Sequence, residues 1–369
     1  MKARRPDRFF FILTFVLAIT GFVIFSSAAL GLLGRDGASF TVVAGKQLFI
    51  LLGGLALFII VSGLPYERWY KLAPYLFILA LGLTALVFIP GLALESGGAK
   101  RWLLLPLGGE AFSFQPAELL KLATIMAWAW WLAKYRDHLA TWRFGFFPLL
   151  AVLGLIGGLL LAQPNTSTFG IIAVAAVAMF LIAGGRWWHF LVICLIGVMA
   201  LGAVVVTRPY VMARVLTYLD PSRDRQGDSY QITQSFIAIG SGGIMGRGFG
   251  QSVQKFNYLP EPIGDSIFAV AAEEFGLVGT SLFLLILLVF ALWGLKIASQ
   301  VNEPFGRLLA LGIVILITVQ SLINIGAMIG LLPLTGVPLV FVSQGGSALL
   351  LALIEAGIVL NISRYRSLA

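Results

Sequence analysis

The sequence predicts an all-α polytopic membrane protein, and three observations carry that prediction. Hydrophobic residues fill 59% of the 369 positions and charged residues only 11%, with a mean hydropathy of +0.98, a balance unlike that of water-soluble domains. Apolar runs of roughly 20 residues, enough for a helix to cross a hydrocarbon core of about 30 Å, recur along the whole chain. No barrel-like alternation is visible.

Ten apolar runs stand out as candidate helices, at about 9–33, 44–62, 74–90, 116–133, 148–162, 169–184, 188–206, 266–296, 308–329 and 344–362. The first follows a basic start, but it is longer than a signal-peptide core and lacks a small-residue cleavage site, so it is expected to be a retained helix. Only Gln163 to Thr168 divide the fifth from the sixth. The whole chain, 1–369, reads as a single transmembrane domain, without internal repeats, low-complexity segments or a second soluble domain.

An even number of spans puts both termini on one side. On that side fall Lys2, Arg4, Arg5, Arg8, Arg68, Lys71, Lys134, Arg136, Arg143, Arg186, Lys296, Arg307, Arg364 and Arg366, against Arg35, Lys46, Lys100, Arg101 and Lys121 near the short loops opposite. The positive-inside rule therefore predicts cytoplasmic termini. The same asymmetry accounts for the net charge of +9, so no nucleic-acid partner is expected. The one cysteine, Cys194, excludes a disulfide framework or thiolate cluster within the chain and is expected to be a small buried side chain.

The segment 207–265, between the seventh and eighth helices, becomes one large extracytoplasmic loop, and a loop of that length usually has its own function. Tyr230 to Gly240 has the pattern of an amphipathic or re-entrant helix, and Gly240 to Gly250 is a glycine-rich turn region. No frame of those glycines gives a dinucleotide fingerprint or a P-loop. They fit an anion-binding nest beside Arg247 or a ligand-free turn. His138 and His189 both fall on the cytoplasmic side or edge, which excludes a histidine-based triad or zinc site outside. Proton chemistry at the outer face would need a carboxylate, a lysine or a tyrosine.

Glu118 and Lys121, at i and i+3 near the outer end of the fourth helix, share a face and suit either a structural ion pair or substrate binding. Arg101, just before that helix, could meet a phosphate with its fork of donors or simply be solvated. Glu261, Asp265 and Glu273 lie on the approach to the eighth helix, where water, a partner or a substrate is their expected surrounding. In a continuous helix Asp265 would stand about 18 Å above Leu277, with Glu273 on a similar side and Glu274 pointing away. From local sequence, Asp265 is a helix cap or a catalytic acid or base.

Arg101-Trp102, Phe114 to Leu122, Tyr218 to Pro221, Tyr230 to Ser235 with Ala238 to Gly243, Tyr258 to Glu261 with Asp265 and Glu273 to Gly276, and Thr335 to Ser347 together resemble the SEDS family, the RodA/FtsW-type peptidoglycan polymerases. The motifs span nearly the whole chain in the family's order. The resemblance implies a glycosyltransferase that extends glycan strands from lipid II at the outer face of the bacterial cytoplasmic membrane. The family's essential aspartate at the end of the large loop matches Asp265, and its arginine, glutamate and lysine match Arg101, Glu118 and Lys121. Arg214 and Lys255 are further candidate cations for a leaving pyrophosphate, and Gln231, Ser235, Glu261 and Ser343 join as substrate-binding candidates.

The implied reaction is attack by a lipid II sugar hydroxyl on a polyprenyl-pyrophosphate-linked donor strand, with inversion and release of the lipid pyrophosphate. Asp265 would be the general base. A divalent cation, magnesium or manganese, could share the pyrophosphate charge, but no ligand cluster identifies one. A class B penicillin-binding protein is the implied partner, and membrane lipids surround the chain. Three positions depart from the family pattern: Ile263-Gly264 where His-Thr is frequent, Asn165 where an aspartate is usual, and Gln344 in place of a tyrosine. The segment Gln251 to Glu261 is closer to FtsW-type than to RodA-type chains. Two other classes fit a polytopic chain, a transporter or flippase for a lipid-linked precursor and a non-catalytic scaffold for a penicillin-binding protein. Against transport, the chain has no inverted repeat and its polar residues cluster at the outer face.

Overall fold

The computed structural model describes residues 5–34, 40–96, 99–107, 110–220 and 228–367. Its elements in order are α1 (Arg8–Ala29), α2 (Phe40–Gly63), α3 (Glu67–Leu86), β1 (Ala93–Ser96), β2 (Ala99–Leu107), β3 (Glu110–Phe114), α4 (Pro116–Lys134), α5 (Phe147–Ala162), α6 (Thr166–Ile182), α7 (Trp187–Thr207), α8 (Pro209–Leu219), α9 (Asp228–Gly242), α10 (Ile267–Ser299), α11 (Pro304–Met328) and α12 (Gly346–Ile362). Each of the ten apolar runs coincides with a helix. Among the described residues eight helical stretches are long and apolar enough to cross a membrane, and Thr166–Ile182 is a shorter apolar helix. Helix α4 is set apart by Glu118, Lys121 and Lys134 within its span. This is an all-α, polytopic integral membrane protein.

Three boundaries differ from expectation for identifiable reasons. Helix α3 begins at Glu67 and carries Pro74 inside it; the helix gives up the hydrogen bond that a proline cannot donate and continues through it. The loop before α4 contains a three-stranded antiparallel sheet in the order β1-β2-β3, which pairs the backbone of a segment too short to span. Helix α10 is not continuous, because Gly276 adopts φ 63°, ψ −165°.

That break is where the glycine-rich segment docks. A side-chain carbon at Gly246 would lie 2.1 Å from the Glu274 carbonyl oxygen, and one at Gly276 would lie 2.3 Å from the Gly246 nitrogen. The Gly246 backbone also has φ 79°, a left-handed conformation suited to glycine. Arg247 and Gly248 donate backbone hydrogen bonds to the Glu273 and Glu274 carbonyls, and Leu277 and Val278 donate to Gly243 and Ile244. The glycines therefore permit close packing against the broken helix, with their amides engaged by protein rather than by an anion.

The core runs between α1, α2, α4, α10, α11 and α12; α12 packs along α2, and α11 against α4, α6 and α10. Helix α7 is different. It buries only His189 and Ile193 and exposes Leu195, Val198, Met199, Leu201 and Val206, the arrangement of a helix bathed in lipid. Cys194 lies on this exposed surface, not in the core as expected. At one end of the bundle Arg366 pairs with Asp7 at 2.7 Å, and Arg366 bridges to Val301 in the α10–α11 connection. Chain segments near both termini thus meet at the same end.

Candidate active site

The turn 261–266 delivers Asp265 to the head of α10. Glu261 takes a positive φ of 46°, and its carbonyl accepts from Gly264 N and Ser266 N at 3.0 and 3.2 Å. A second segment, the loop after α11, clamps this turn. The Gln344 amide donates to the Ile263 carbonyl at 2.7 Å, and the Ser343 hydroxyl donates to the Gly264 carbonyl at 2.8 Å while accepting from Leu339 N. From α11, the Asn324 amide donates to the Asp265 and Val337 carbonyls at 2.9 and 2.8 Å. From α9, the Gln231 amide donates to the Ser266 hydroxyl at 2.9 Å. The Asp265 backbone is fixed on three sides, which leaves its carboxylate to face outward from a rigid frame.

The two local readings of Asp265 now separate. Ser266, not Asp265, occupies the cap position of α10, and no side chain caps the helix there. The Asp265 carboxylate lines a cavity of about 620 Å³ with Arg101, Gln115, Glu118, Asn165 and Glu261. Helices α1 and α2 contribute the apolar Phe25, Val42, Val43 and Ile50 to the same lining, together with Lys46 and Gln47. Gly336, whose φ is 65°, lets two charged groups approach: a carbon added there would sit 3.5 Å from Asp265 Oδ2 and 3.6 Å from an Arg214 guanidinium nitrogen. Arg214 also donates to the Thr335 carbonyl at 3.3 Å.

Burial pushes the Asp265 carboxyl up from 3.8 to about 6; the nearby Glu261 carboxylate adds to the rise, and Arg214 and Arg101 oppose it. Arg101 is drawn down from its ordinary value, first by burial and then by the neighbouring Arg214 cation; it keeps its charge because a guanidinium holds its proton so tightly. Its fork donates to the Gln163 and Pro164 carbonyls at 3.3 and 2.5 Å, which ties the strand β2 to the α5–α6 turn. In that turn Asn165 is buried with its amide nitrogen unpartnered while it lines the cavity.

Glu118 and Lys121 form a buried ion pair at 2.9 Å, and Lys121 also donates to Gln320. Glu118 lines the cavity, whereas Lys121 is turned into the helix bundle. Two other expected contacts fall elsewhere. Lys255 is fully buried, paired with Glu274 at 2.7 Å and donating to the Ser27 hydroxyl; a buried carboxylate on α10 captures it, so it does not reach the cavity. Ser235 is equally buried, its hydroxyl donating to the Gln231 carbonyl and lying 3.6 Å from Met328 Sδ, a packing contact between α9 and α11. Glu273 does not face water or substrate as expected. It accepts from the Ser252 hydroxyl at 2.6 Å and from Val253 and Gln254 amides.

With this geometry in hand, comparison with known proteins gives a single answer. The profile of the FtsW/RodA/SpoVE group, described as cell cycle protein, matches residues 7–368. The chain belongs to the FtsW/RodA/SpoVE family. Stage V sporulation protein E of Bacillus subtilis (strain 168) is 36% identical over 365 residues, covering 99% of this chain and 98% of that protein. A probable peptidoglycan glycosyltransferase FtsW of Thiomicrospira cyclica is 40% identical over 322 residues, 86% of this chain and 81% of the relative. Among solved structures, a chain described under structural coordination of polymerization and crosslinking by a peptidoglycan synthase complex superposes with a TM-score of 0.80 at 28% identity, covering 98% of this chain and 99% of its own. The rod shape determining protein RodA of Thermus thermophilus superposes with a TM-score of 0.69 at 25% identity, covering 99% and 98%.

Within this FtsW/RodA/SpoVE chain, the three departures noted in the sequence have distinct structural outcomes. Ile263 is buried and contributes its carbonyl to the clamp; Asn165 lines the cavity with a buried, unpartnered amide nitrogen; Gln344 exposes its side chain on the cavity wall. Sequence reasoning missed Asn324 and Gln320. Both are polar residues inside an apolar span, four apart and so on one helix face, and that signal marks buried functional or structural contacts.

Proposed function

We propose that this chain is a peptidoglycan glycosyltransferase that polymerises lipid II at the outer face of the bacterial cytoplasmic membrane, with Asp265 as general base. The observation that carries the reading is that Asp265, its carboxyl raised to about 6 chiefly by burial, lines one cavity with Arg101 and with the apolar Phe25, Val42, Val43 and Ile50. A base whose affinity for protons lies just below the working pH is ionised yet basic enough to take the proton of an attacking hydroxyl. The apolar side chains in the lining would suit a polyprenyl chain. Arg101 and Arg214 suit the pyrophosphate whose charge grows as the glycosidic bond breaks, with inversion at the anomeric carbon.

Asn165 and Glu118 would bind sugar or phosphate groups, Gln231 and Ser343 act by holding the Asp265 turn, and Lys255 and Ser235 are structural. Among the described residues no group of three or more His, Cys, Asp or Glu is arranged to hold a metal. A magnesium or manganese ion at this site would therefore draw most of its ligands from the pyrophosphate oxygens and would neutralise their charge. The orientation that fits is ten crossings with cytoplasmic termini and 207–265 outside. It rests on the positive-inside asymmetry and on the meeting of Asp7 and Arg366 at one end. Relatives named FtsW and stage V sporulation protein E support a division or sporulation role, and the likeness to a chain of a peptidoglycan synthase complex that polymerises and crosslinks supports a class B penicillin-binding protein as partner.

The test is polymerisation of labelled lipid II by purified protein, alone and with its candidate transpeptidase partner. Glycan strands should form, and Asp265→Ala should abolish them while the variant remains folded. Full activity of that variant would overturn the role of Asp265. Lipid II translocation in proteoliposomes without any polymer would favour a flippase instead.

A further inference from the structure

One buried group is used by neither the fold nor the proposed chemistry. Glu355, on α12, is 3% exposed and lines a second, narrow cavity of about 10 Å³ with Glu118, Lys121, Gln320 and Ser343. Such a space is at the lower limit for one water. The charged groups facing Glu355 both come from α4, and they are Lys121 and Glu118. From α11 the cavity receives Gln320 with Leu316 and Ile317, and from α12 itself Leu349 and Ala352.

The charges in this cavity do not balance. Lys121 forms its ion pair with Glu118 at 2.9 Å and a further hydrogen bond to Gln320, while Glu355 has neither an ion pair nor a hydrogen bond among the described residues. Two carboxylates and one ammonium leave a net negative charge within an apolar bundle, and an unpaired buried charge is removed most cheaply by a proton. The carboxyl without a partner is the one to take it.

We propose that Glu355 is a proton-binding site: it holds one proton as a neutral acid while Lys121 is paired with Glu118, and it serves as the reserve counter-ion of Lys121. Glu118 is the only one of the three that borders both the narrow cavity and the outer cavity containing Asp265. When Glu118 turns outward, the proton passes from the Glu355 carboxyl to the Glu118 carboxylate. Lys121 then pairs with ionised Glu355. One proton and one positive charge are retained by the triad throughout, so the exchange leaves its net charge at zero.

Thermal melting of the purified full-length protein in detergent tests this without reference to activity. Glu355→Gln, which mimics the neutral acid, should melt within about 1 °C of the parent, and Glu118→Gln should lose little because Glu355 takes over Lys121. The double variant Glu118→Gln/Glu355→Gln should lose more than the two single losses together by about 3 °C or more, or fail to fold, since Lys121 is then buried without a counter-ion. Adding Lys121→Met to the double variant should restore folding. A large loss from Glu355→Gln alone would mean that Glu355 is ionised at rest and overturns the proposal. Additive losses, or no rescue by Lys121→Met, would overturn it equally.

Discussion

A base kept in a cavity that disfavours its charge should cost the fold stability, and the cost can be worked out. The Asp265 carboxyl binds its proton at about 6 in the folded protein against 3.8 for an unperturbed aspartate, a difference of about two pH units. At about 1.4 kcal/mol per unit this is roughly 3 kcal/mol. Between those two values the folded state holds more protons than the unfolded state, so stability falls as pH rises through the window; the full penalty is present above pH 6 and absent below 3.8. Asp265→Asn removes the titrating charge with little change of shape. An unfolding entropy of about 2 cal/mol/K per residue over 369 residues makes each kcal/mol worth a little over 1 °C. Differential scanning calorimetry at pH 7.5 should therefore find the variant melting about 3–4 °C above the parent, with the difference shrinking toward zero at pH 4. Relaxation around a partly open site would reduce the gain but not its sign. A variant that melts lower at pH 7.5, or by an amount independent of pH, would refute the reasoning.

The same electrostatics predicts the acid limb of lipid II polymerisation near pH 6, moved to lower pH by Glu261→Gln and to higher pH by Arg214→Gln, as pH–rate profiles would reveal. Lys255→Met strands the Glu274 carboxylate in the core and should cost about 3–5 kcal/mol of stability, while kcat of the surviving folded fraction stays unchanged; a selective loss of kcat would return Lys255 to the site. Asn165→Ala truncates a cavity-lining side chain whose amide nitrogen has no partner within the protein and should lower kcat/KM about tenfold, roughly 1.4 kcal/mol, without changing Tm. Gly276→Ala forces a carbon to within 2.3 Å of the Gly246 nitrogen at a positive φ, so folded protein should fall sharply on size-exclusion chromatography.

Helices are legible in this sequence because lipid imposes one severe rule, that a crossing segment be long, apolar and internally hydrogen-bonded. The rule says nothing about which polar groups meet. Lys255 reads as a free cation in an outer loop, yet its partners are Ser27 on α1 and Glu274 on α10, contacts that no local pattern announces. The glycine-rich segment reads as a turn or an anion nest because its real neighbour, the broken turn of α10 at Gly276, is itself a backbone event. The sheet before α4 has a weak signal, Gly108-Gly109 between Leu103–Leu107 and Glu110–Phe114, which hairpins favour. Glu355 and Asn324 were readable in principle. An ionisable or amide side chain inside an apolar span is rare enough to flag by itself, even before its partners are known.

The charges around the outer cavity bear on the proposed pyrophosphate donor. Arg101 and Arg214 lie close enough to depress the proton affinity of Arg101, and Glu261 and Asp265 close enough to raise that of Asp265. Each pair of like charges is unfavourable on its own, and the cross-attractions between pairs do not cancel the burial cost of Asp265, which stays well above an ordinary aspartate. Glu118 adds no free charge, because Lys121 neutralises it. A neutral sugar would leave this arrangement as it is. A pyrophosphate between the two guanidiniums would relieve their repulsion and draw the arginines' field away from Asp265, which raises the carboxylate's basicity as the donor settles. The base would thus gain its full strength only with the anionic donor in place, and the attacking hydroxyl would be deprotonated only when there is something to attack.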